Sequence, residues 1–161
     1  MAEKILALLQ KLDIQYEKID HVPIMTMDEG KNIAECLQVK PCKNLFLEDK
    51  QGQHYLLLLS GEKKFRAKDV SQKIGCSHLS FGSPENLHML LGTTPGAVSA
   101  LGLLNDTLHK IHLLIDTDVL KEEYIGCHPC VNTMSIKIRT KDLTDIFLPY
   151  IGIESFSSLD L

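Results

Sequence analysis

Tyr55-Leu56-Leu57-Leu58-Leu59 is as long as any apolar run in this chain, and it limits what the chain can become. Five residues suit a strand and fall far short of the roughly 20 needed to cross a bilayer. A second strand-like stretch runs from Asn44 to Leu47, and Glu48-Asp49-Lys50-Gln51-Gly52-Gln53 reads as the hairpin loop leading to a strand from His54 to Ser60.

Helices and further strands surround this hairpin. Ile5, Leu6, Leu8, Leu9 and Leu12 have helical spacing, which predicts a helix from Ala2 to Leu12, and Ile14 to Ile19 alternates as a strand. Thr26-Met27-Asp28-Glu29 has the form of a capping box, ahead of a helix whose apolar face is Ile33, Ala34 and Leu37. A short helix is expected over Ala67 to Ile74, stopped by Gly75. Another is expected over Pro84 to Leu90, with Ser83 as cap and Gly92 as stop. His109 to Ile115 and Val131 to Arg139 read as strands, and Thr140 as the cap of a last helix, Lys141 to Tyr150. The order lacks the regular alternation of a doubly wound sheet. It predicts an α+β fold with a mixed, strongly curved or barrel-like sheet wrapped by several helices.

At 161 residues the chain fits a single domain, residues 1–161. The N-terminus leads into an amphipathic pattern with no export signal, so a cytoplasmic protein is expected. Five cysteines, an odd number, argue against a disulfide framework and fit a reducing compartment. A net charge of −4 does not advertise nucleic-acid binding, so any such contact must come from a local patch.

Four constellations carry chemistry-bearing residues. They are His21-Val22-Pro23 with Thr26 and Glu29; Lys43-Asn44-Leu45-Phe46-Leu47; Ser80 to Glu85 followed by Leu91-Gly92-Thr93-Thr94-Pro95-Gly96-Ala97-Val98-Ser99; and His128-Pro129-Cys130-Val131-Asn132-Thr133. Their order and spacing resemble the YbaK/prolyl-tRNA editing family over roughly residues 15 to 150, and most of all its freestanding branch, which deacylates alanyl-tRNA(Pro). The resemblance implies hydrolysis of the ester of a mischarged tRNA without a cofactor or metal. Water would attack the ester, assisted by the substrate's own ribose hydroxyl. The implied partners are an aminoacyl-tRNA and a prolyl-tRNA synthetase, with no role for a membrane or DNA. Cysteinyl or seryl esters are alternative substrates within the family, and a non-catalytic tRNA- or synthetase-binding module is the alternative of another class. Such an editing step has a physical reason: one methylene supplies only about 1–3 kcal/mol of discrimination, too little to keep alanine out of a proline site.

On this resemblance Lys43 is the family's essential lysine. An ordinary lysine is a cation and a poor base at neutral pH, so its expected task is to hold the terminal adenosine or counter developing negative charge. On its residues alone an ordinary strand-end lysine in water is the better reading, and the resemblance reverses that order. Gly96 to Ser99 align with the family's G-x-x-x-P loop, with Ala100 where the pattern has proline. The loop, with Pro95, Gly96, Ala97, Val98 and Ser99, is expected to line the amino-acid pocket and offer N–H groups to the ester oxygen, and Asn44 to join it. By itself it is also an ordinary Gly/Pro turn. His128 would orient water or bind the substrate's amino group, and Asn132 and Thr133 would fix the ester or ribose; otherwise they satisfy local backbone. Lys63, Lys64, Arg66 and Lys68 form the densest basic cluster, fit for acceptor-stem phosphates or for plain solvent exposure. Cys127-His128-Pro129-Cys130 spells a C-x-x-C, but a strand rather than a helix is expected after it and no partner ligands for zinc are apparent, so incidental thiols are expected.

Overall fold

The computed structural model describes residues 1–161. Its elements in chain order are α1 (Ala2–Lys11), β1 (Tyr16–Asp20), α2 (Met27–Leu37), β2 (Cys42–Glu48), β3 (His54–Ser60), α3 (Ala67–Ile74), β4 (Ser80–Phe81) and α4 (Pro84–Leu91). A 3-10 turn (Ala100–Asn105) then leads to β5 (Ile111–Asp116), α5 (Thr117–Leu120), β6 (Tyr124–Cys127) and β7 (Met134–Arg139). The chain closes with α6 (Thr140–Asp142), a π-helical turn (Leu143–Phe147), α7 (Leu148–Tyr150) and β8 (Ser157–Leu159). The fold is α+β. The curved or barrel-like sheet expected from the sequence is two open sheets: a mixed one in the order β4-β2-β3-β5-β8, and an antiparallel one in the order β1-β7-β6. No helix is long and apolar enough to cross a membrane.

β3 explains the apolar run. It pairs antiparallel with β2 and parallel with β5, and its alternate residues enter two different cores. Leu56 and Leu58, with Phe46, face the larger core between the sheets, which also takes Ile125, Ile136 and Ile138 from the small sheet, Ile5 and Leu9 from α1, and Leu90 and Leu91 from α4. Leu57 and Leu59, with Leu47, face a smaller core closed by Val70 of α3, Leu79 and Leu159. A strand covered on both faces has no polar side to present, hence the unbroken leucines.

Local chemistry fixes the helix ends. The Thr26 hydroxyl accepts from the Glu29 N–H at 3.2 Å, and the Glu29 carboxylate accepts from the Thr26 N–H at 3.1 Å, so both halves of the capping box form. Ser83 caps α4 through the Asn86 N–H, and Gly75 and Gly92 end α3 and α4 in left-handed conformations. Thr140 does not cap the last helical stretch. The chain passes from β7 straight into the helix with Arg139 at the cap position, the Thr140 N–H is drawn to the Glu123 carbonyl, and the Thr140 hydroxyl is buried without a partner. The π-helical turn precedes Pro149, whose missing N–H removes one ordinary helical bond.

One buried carboxylate knots several elements. Asp116 is 0% exposed. Its oxygens accept from the N–H groups of Ser60 and Asp118, each at 3.1 Å, and from Lys63 Nζ at 2.9 Å. Lys63 Nζ also reaches Asp118 at 2.9 Å and the Leu161 carbonyl at 2.6 Å. The end of β3, the turn after it, α5 and the last residue meet at this point. Asp116→Ala leaves two backbone donors without their acceptor, so urea denaturation should show a loss of at least about 2 kcal/mol. Lys68→Ala, on an exposed face, should change stability by less than about 0.5 kcal/mol. Equal stability of the two variants would show that the knot carries no weight.

Candidate active site

β2 opens at a cavity of about 210 Å³ where the two sheets meet beneath α2. Ile24, Ile33, Ala34, Leu37 and Val39 supply its apolar wall. Cys42, Lys43 and Asn44 from β2, Gly126 and Cys127 from β6, His128, and Ser135 from β7 line it too, and Lys31 of α2 and Lys40 add two further cations. The volume lies below the roughly 300–1,000 Å³ typical of pockets for drug-sized ligands, which suits a small acyl group better than a nucleotide.

Two glycines let the wall close. A Cβ on Gly61 would stand 2.5 Å from Pro41 Cβ and 2.6 Å from the Pro41 carbonyl oxygen, to which the Gly61 N–H donates at 2.7 Å. This close approach brings the turn after β3 over the start of β2. There Lys43 Nζ donates to the backbone carbonyl of Lys63. A Cβ on Gly126 would lie 2.9 Å from Val39, so Val39 packs directly on the β6 backbone.

Asn44 is oriented by Ala100, whose N–H donates to Asn44 Oδ1 at 3.1 Å. The amide oxygen is thereby committed, and the two Nδ2 hydrogens are left for the cavity side. Position 100 matters for this reason. Ser99 is extended and a proline after it would fit the backbone, but a proline has no N–H to give Asn44.

His128 is half-buried beside Asn44's strand end. Its Nδ1 lies 2.9 Å from the Met134 carbonyl, which can only accept, so Nδ1 carries the hydrogen and Nε2 presents a lone pair. Burial lowers the His128 pKa below the ordinary 6.5. The Met134 carbonyl opposes that shift, and His21 adds to it. His21 was singled out in the sequence without a role, and Ser135 drew no attention there, yet both meet His128.

The Gly96 loop does not wall this cavity; it stands behind it. Ala97 is 1% exposed with its N–H bonded to the Thr94 carbonyl, so neither its methyl nor its amide is offered to a ligand. Pro95, Val98 and Ser99 are likewise absent from the wall. The Thr93 hydroxyl lies 3.1 Å from the carbonyls of both Ala97 and Cys130, between which its single hydrogen is shared, and Ser99 caps the 3-10 turn. Gly96 sits at φ 92°, and a Cβ there would meet only Asn132 Nδ2, at 3.7 Å. Asn132 in turn clamps the backbone of Ile24, donating to its carbonyl at 3.2 Å and accepting from its N–H at 3.3 Å. Its side chain therefore serves local backbone. Thr133 is exposed and contributes its carbonyl to the His21 N–H.

The expected basic cluster divides. Lys63 is held by Asp116 and Asp118, so it is not free to meet phosphate. Lys64 and Arg66 are exposed and, with Lys73, line a separate cavity of about 580 Å³ between the turn after β3, α3 and the chain's end; Lys68 is exposed on α3. The C-x-x-C is not at a helix start. Cys127 ends β6 and Cys130 lies in a turn at φ 62°. Burial pushes the Cys127 thiol up, the Cys130 thiol up to about 11 and the neighbouring Cys42 thiol up to about 12, which makes all three poor nucleophiles.

Comparison with known proteins follows the same outline. Residues 21–146 match the aminoacyl-tRNA editing domain family. The prolyl-tRNA editing protein ProX of Acetoanaerobium sticklandii is 34% identical over 145 residues, which cover 89% of this chain and 88% of ProX. The prolyl-tRNA synthetase associated domain-containing protein 1 of Danio rerio is 26% identical over 137 residues, 84% of this chain and 74% of that protein. A solved structure provisionally described as a trans-editing enzyme for prolyl tRNA synthetase superposes with a TM-score of 0.72 at 18% identity, covering 99% of this chain and 95% of that one, which shows a common fold.

The His128 environment has a measurable consequence. Because burial depresses its folded-state pKa, the unfolded chain binds the proton first as pH falls. The stabilising contribution of neutral His128 should be complete above pH 6.5 and be lost as pH drops through the folded value. NMR titration should place His128 below 6.5; a midpoint at or above 6.5 would contradict its burial.

Proposed function

Because this chain belongs to the aminoacyl-tRNA editing domain family, we propose that it is a trans-acting deacylase that hydrolyses mischarged tRNA, with Ala-tRNA(Pro) as its substrate and residues 1–161 as one editing domain. The observation that carries the reading is the shared cavity: Lys43, Asn44 and His128 converge on a space suited to a small acyl group, in a chain 34% identical to ProX.

The alanyl methyl lies against the wall of Ile33, Ala34 and Val39. His128 Nε2 accepts from the substrate's amino group, for which a bare imidazole nitrogen is suited. Lys43 retains two ammonium hydrogens after its bond to the Lys63 carbonyl, and Asn44 retains two amide hydrogens after its oxygen is committed. They leave β2 on opposite faces, so Lys43 is the donor that meets negative charge as it develops on the ester carbonyl oxygen, and Asn44 binds another part of the substrate. Water adds to the carbonyl carbon and the bond to the ribose oxygen breaks, releasing alanine and tRNA. An aminoacyl ester is already activated, so positioning and charge stabilisation supply much of the acceleration. The donors thus come from side chains of β2; Ala100, just after the Gly96 loop, holds Asn44, and Asn132 holds Ile24.

Lys64, Arg66 and Lys68, unpaired within the protein, are the contacts for acceptor-stem phosphates, a role that carries affinity rather than sequence information. A prolyl-tRNA synthetase is the partner that would hand over the substrate, in keeping with the name of the Danio rerio relative.

The test is a panel of mischarged tRNAs presented to the purified protein. Ala-tRNA(Pro) should be deacylated, Pro-tRNA(Pro) spared, and Lys43→Ala should lower the rate about 100-fold or more. No turnover on any substrate, with tRNA still bound, would replace the hydrolase by a binding module. Preference for cysteinyl or seryl esters would reassign the substrate.

A further inference from the structure

The cavity grows more open towards the N-terminal end of α2. Along the face that this helix turns to it, Leu37 is 3% exposed, Ala34 7% and Met27 63%. The closed end holds space for a small acyl group, so the remainder of an aminoacyl ester must leave past the N-terminal half of the helix. Gly30 and Lys31 stand there, and both line the cavity.

The protein's own packing does not account for Gly30. It lies inside α2, where glycine weakens a helix relative to alanine, and its backbone is not left-handed. A Cβ there would meet only Ile24 Cγ2, at 3.9 Å, which is an ordinary contact. Gly61 and Gly126 differ, because a Cβ on either would collide with Pro41 or Val39. The room beside Gly30 is therefore unfilled by the chain itself.

Lys31 is equally unaccounted for. It shares the cavity stripe of α2 with Met27 and Ala34, where a helix normally carries apolar side chains, and it is exposed. Its ammonium pairs with no carboxylate, whereas Lys40, the other cation at the rim, is held by Glu122 at 2.9 Å. An aminoacylated nucleotide supplies an occupant for both features: a ribose that passes close to backbone, and a phosphate that needs a free cation.

We propose that Gly30 and Lys31 seat the nucleotide that carries the aminoacyl ester, Gly30 by leaving room for its ribose and Lys31 by pairing with its 5′ phosphate. The identity of this ligand rests on the deacylase reading above. Lys43 lies deeper, tied to the Lys63 carbonyl, so the two lysines serve different parts of one substrate.

Calorimetry with two non-hydrolysable ligands tests the seat: 3′-alanylamino-3′-deoxyadenosine, and the same molecule bearing a 5′ phosphate. The wild type should bind the phosphorylated form about tenfold more tightly, the scale of one charge-assisted contact, with the advantage shrinking as salt is raised. Lys31→Ala should bind the two forms alike, and Lys31→Arg should keep the advantage. Gly30→Ala should raise the Tm by about 1–4 °C and weaken both ligands about tenfold. A phosphate advantage that survives Lys31→Ala, or wild-type affinity in Gly30→Ala, would overturn the proposal. A Tm lowered by Gly30→Ala would assign that glycine to the fold instead. Neither ligand binding to a protein that hydrolyses Ala-tRNA(Pro) would remove the seat and keep the deacylase. Binding that depends on the phosphate and on Lys31, in a protein that deacylates nothing, would uphold the seat and remove the reaction.

Discussion

The register between β2 and β3 governs everything else in this molecule. Lys43 pairs with Leu59, Asn44 with Leu58, and the pattern continues to Glu48 opposite His54. Because side chains alternate along a strand, a slip by one residue would turn every leucine of β3 into the wrong core and exchange the faces of Lys43 and Asn44. The ends of the run make that slip costly: it carries Tyr55 or Ser60 into a place that a leucine fills and forfeits about 1.5–3 kcal/mol of apolar burial for the leucine displaced. The cores therefore specify the site. Lys43 and Asn44 hold their positions at the cavity because Phe46 and the two ends of the leucine run fit in one register alone.

Other parts of the fold refine that placement. Asp116 grips the end of β3 and, through Lys63, the turn that follows; the carbonyl of Lys63 then receives the Lys43 ammonium. From behind, Ala100 at the end of the Gly96 loop holds Asn44, and Asn132 separately clamps Ile24. Both devices leave a polar side chain with unused donors facing a small apolar space, and neither requires the holding residue to touch substrate. In this account selectivity comes from a restricted volume joined to fixed donors and one fixed acceptor.

Much of the fold was legible in the sequence because its signals were local. The Thr26 capping box, the Gly75 and Gly92 stops and the apolar run of β3 each carry their cause within a few residues, and β3 and α3 fall at the bounds expected for them. What escaped reading depends on distant partners. β8 is three residues, Ser157–Leu159, that become a strand by lying parallel to β5, and β6 forms by pairing with β7. The site divides in the same way. Lys43, Asn44 and His128 stood out through the resemblance to the editing family, since each has an ordinary structural reading on its residue type alone. That Lys63 is neutralised, that Ala97 faces inward and that Ser135 bridges two histidines follow from contacts more than 50 residues apart or from burial, neither of which a linear pattern records. Ala100 is the instructive case: it departs from the family's proline, and its N–H proves to be what orients Asn44.

The central claim is that the aminoacyl end of the substrate enters the cavity under α2. A co-crystal structure with a non-hydrolysable alanyl-adenosine amide tests it most directly. The alanyl methyl should contact Ile33, Ala34 or Val39, with the amino group within hydrogen-bond distance of His128 Nε2 and the carbonyl oxygen facing Lys43. An alanyl group seated elsewhere, such as in the larger basic cavity beside α3, with the space under α2 left to water, would contradict it.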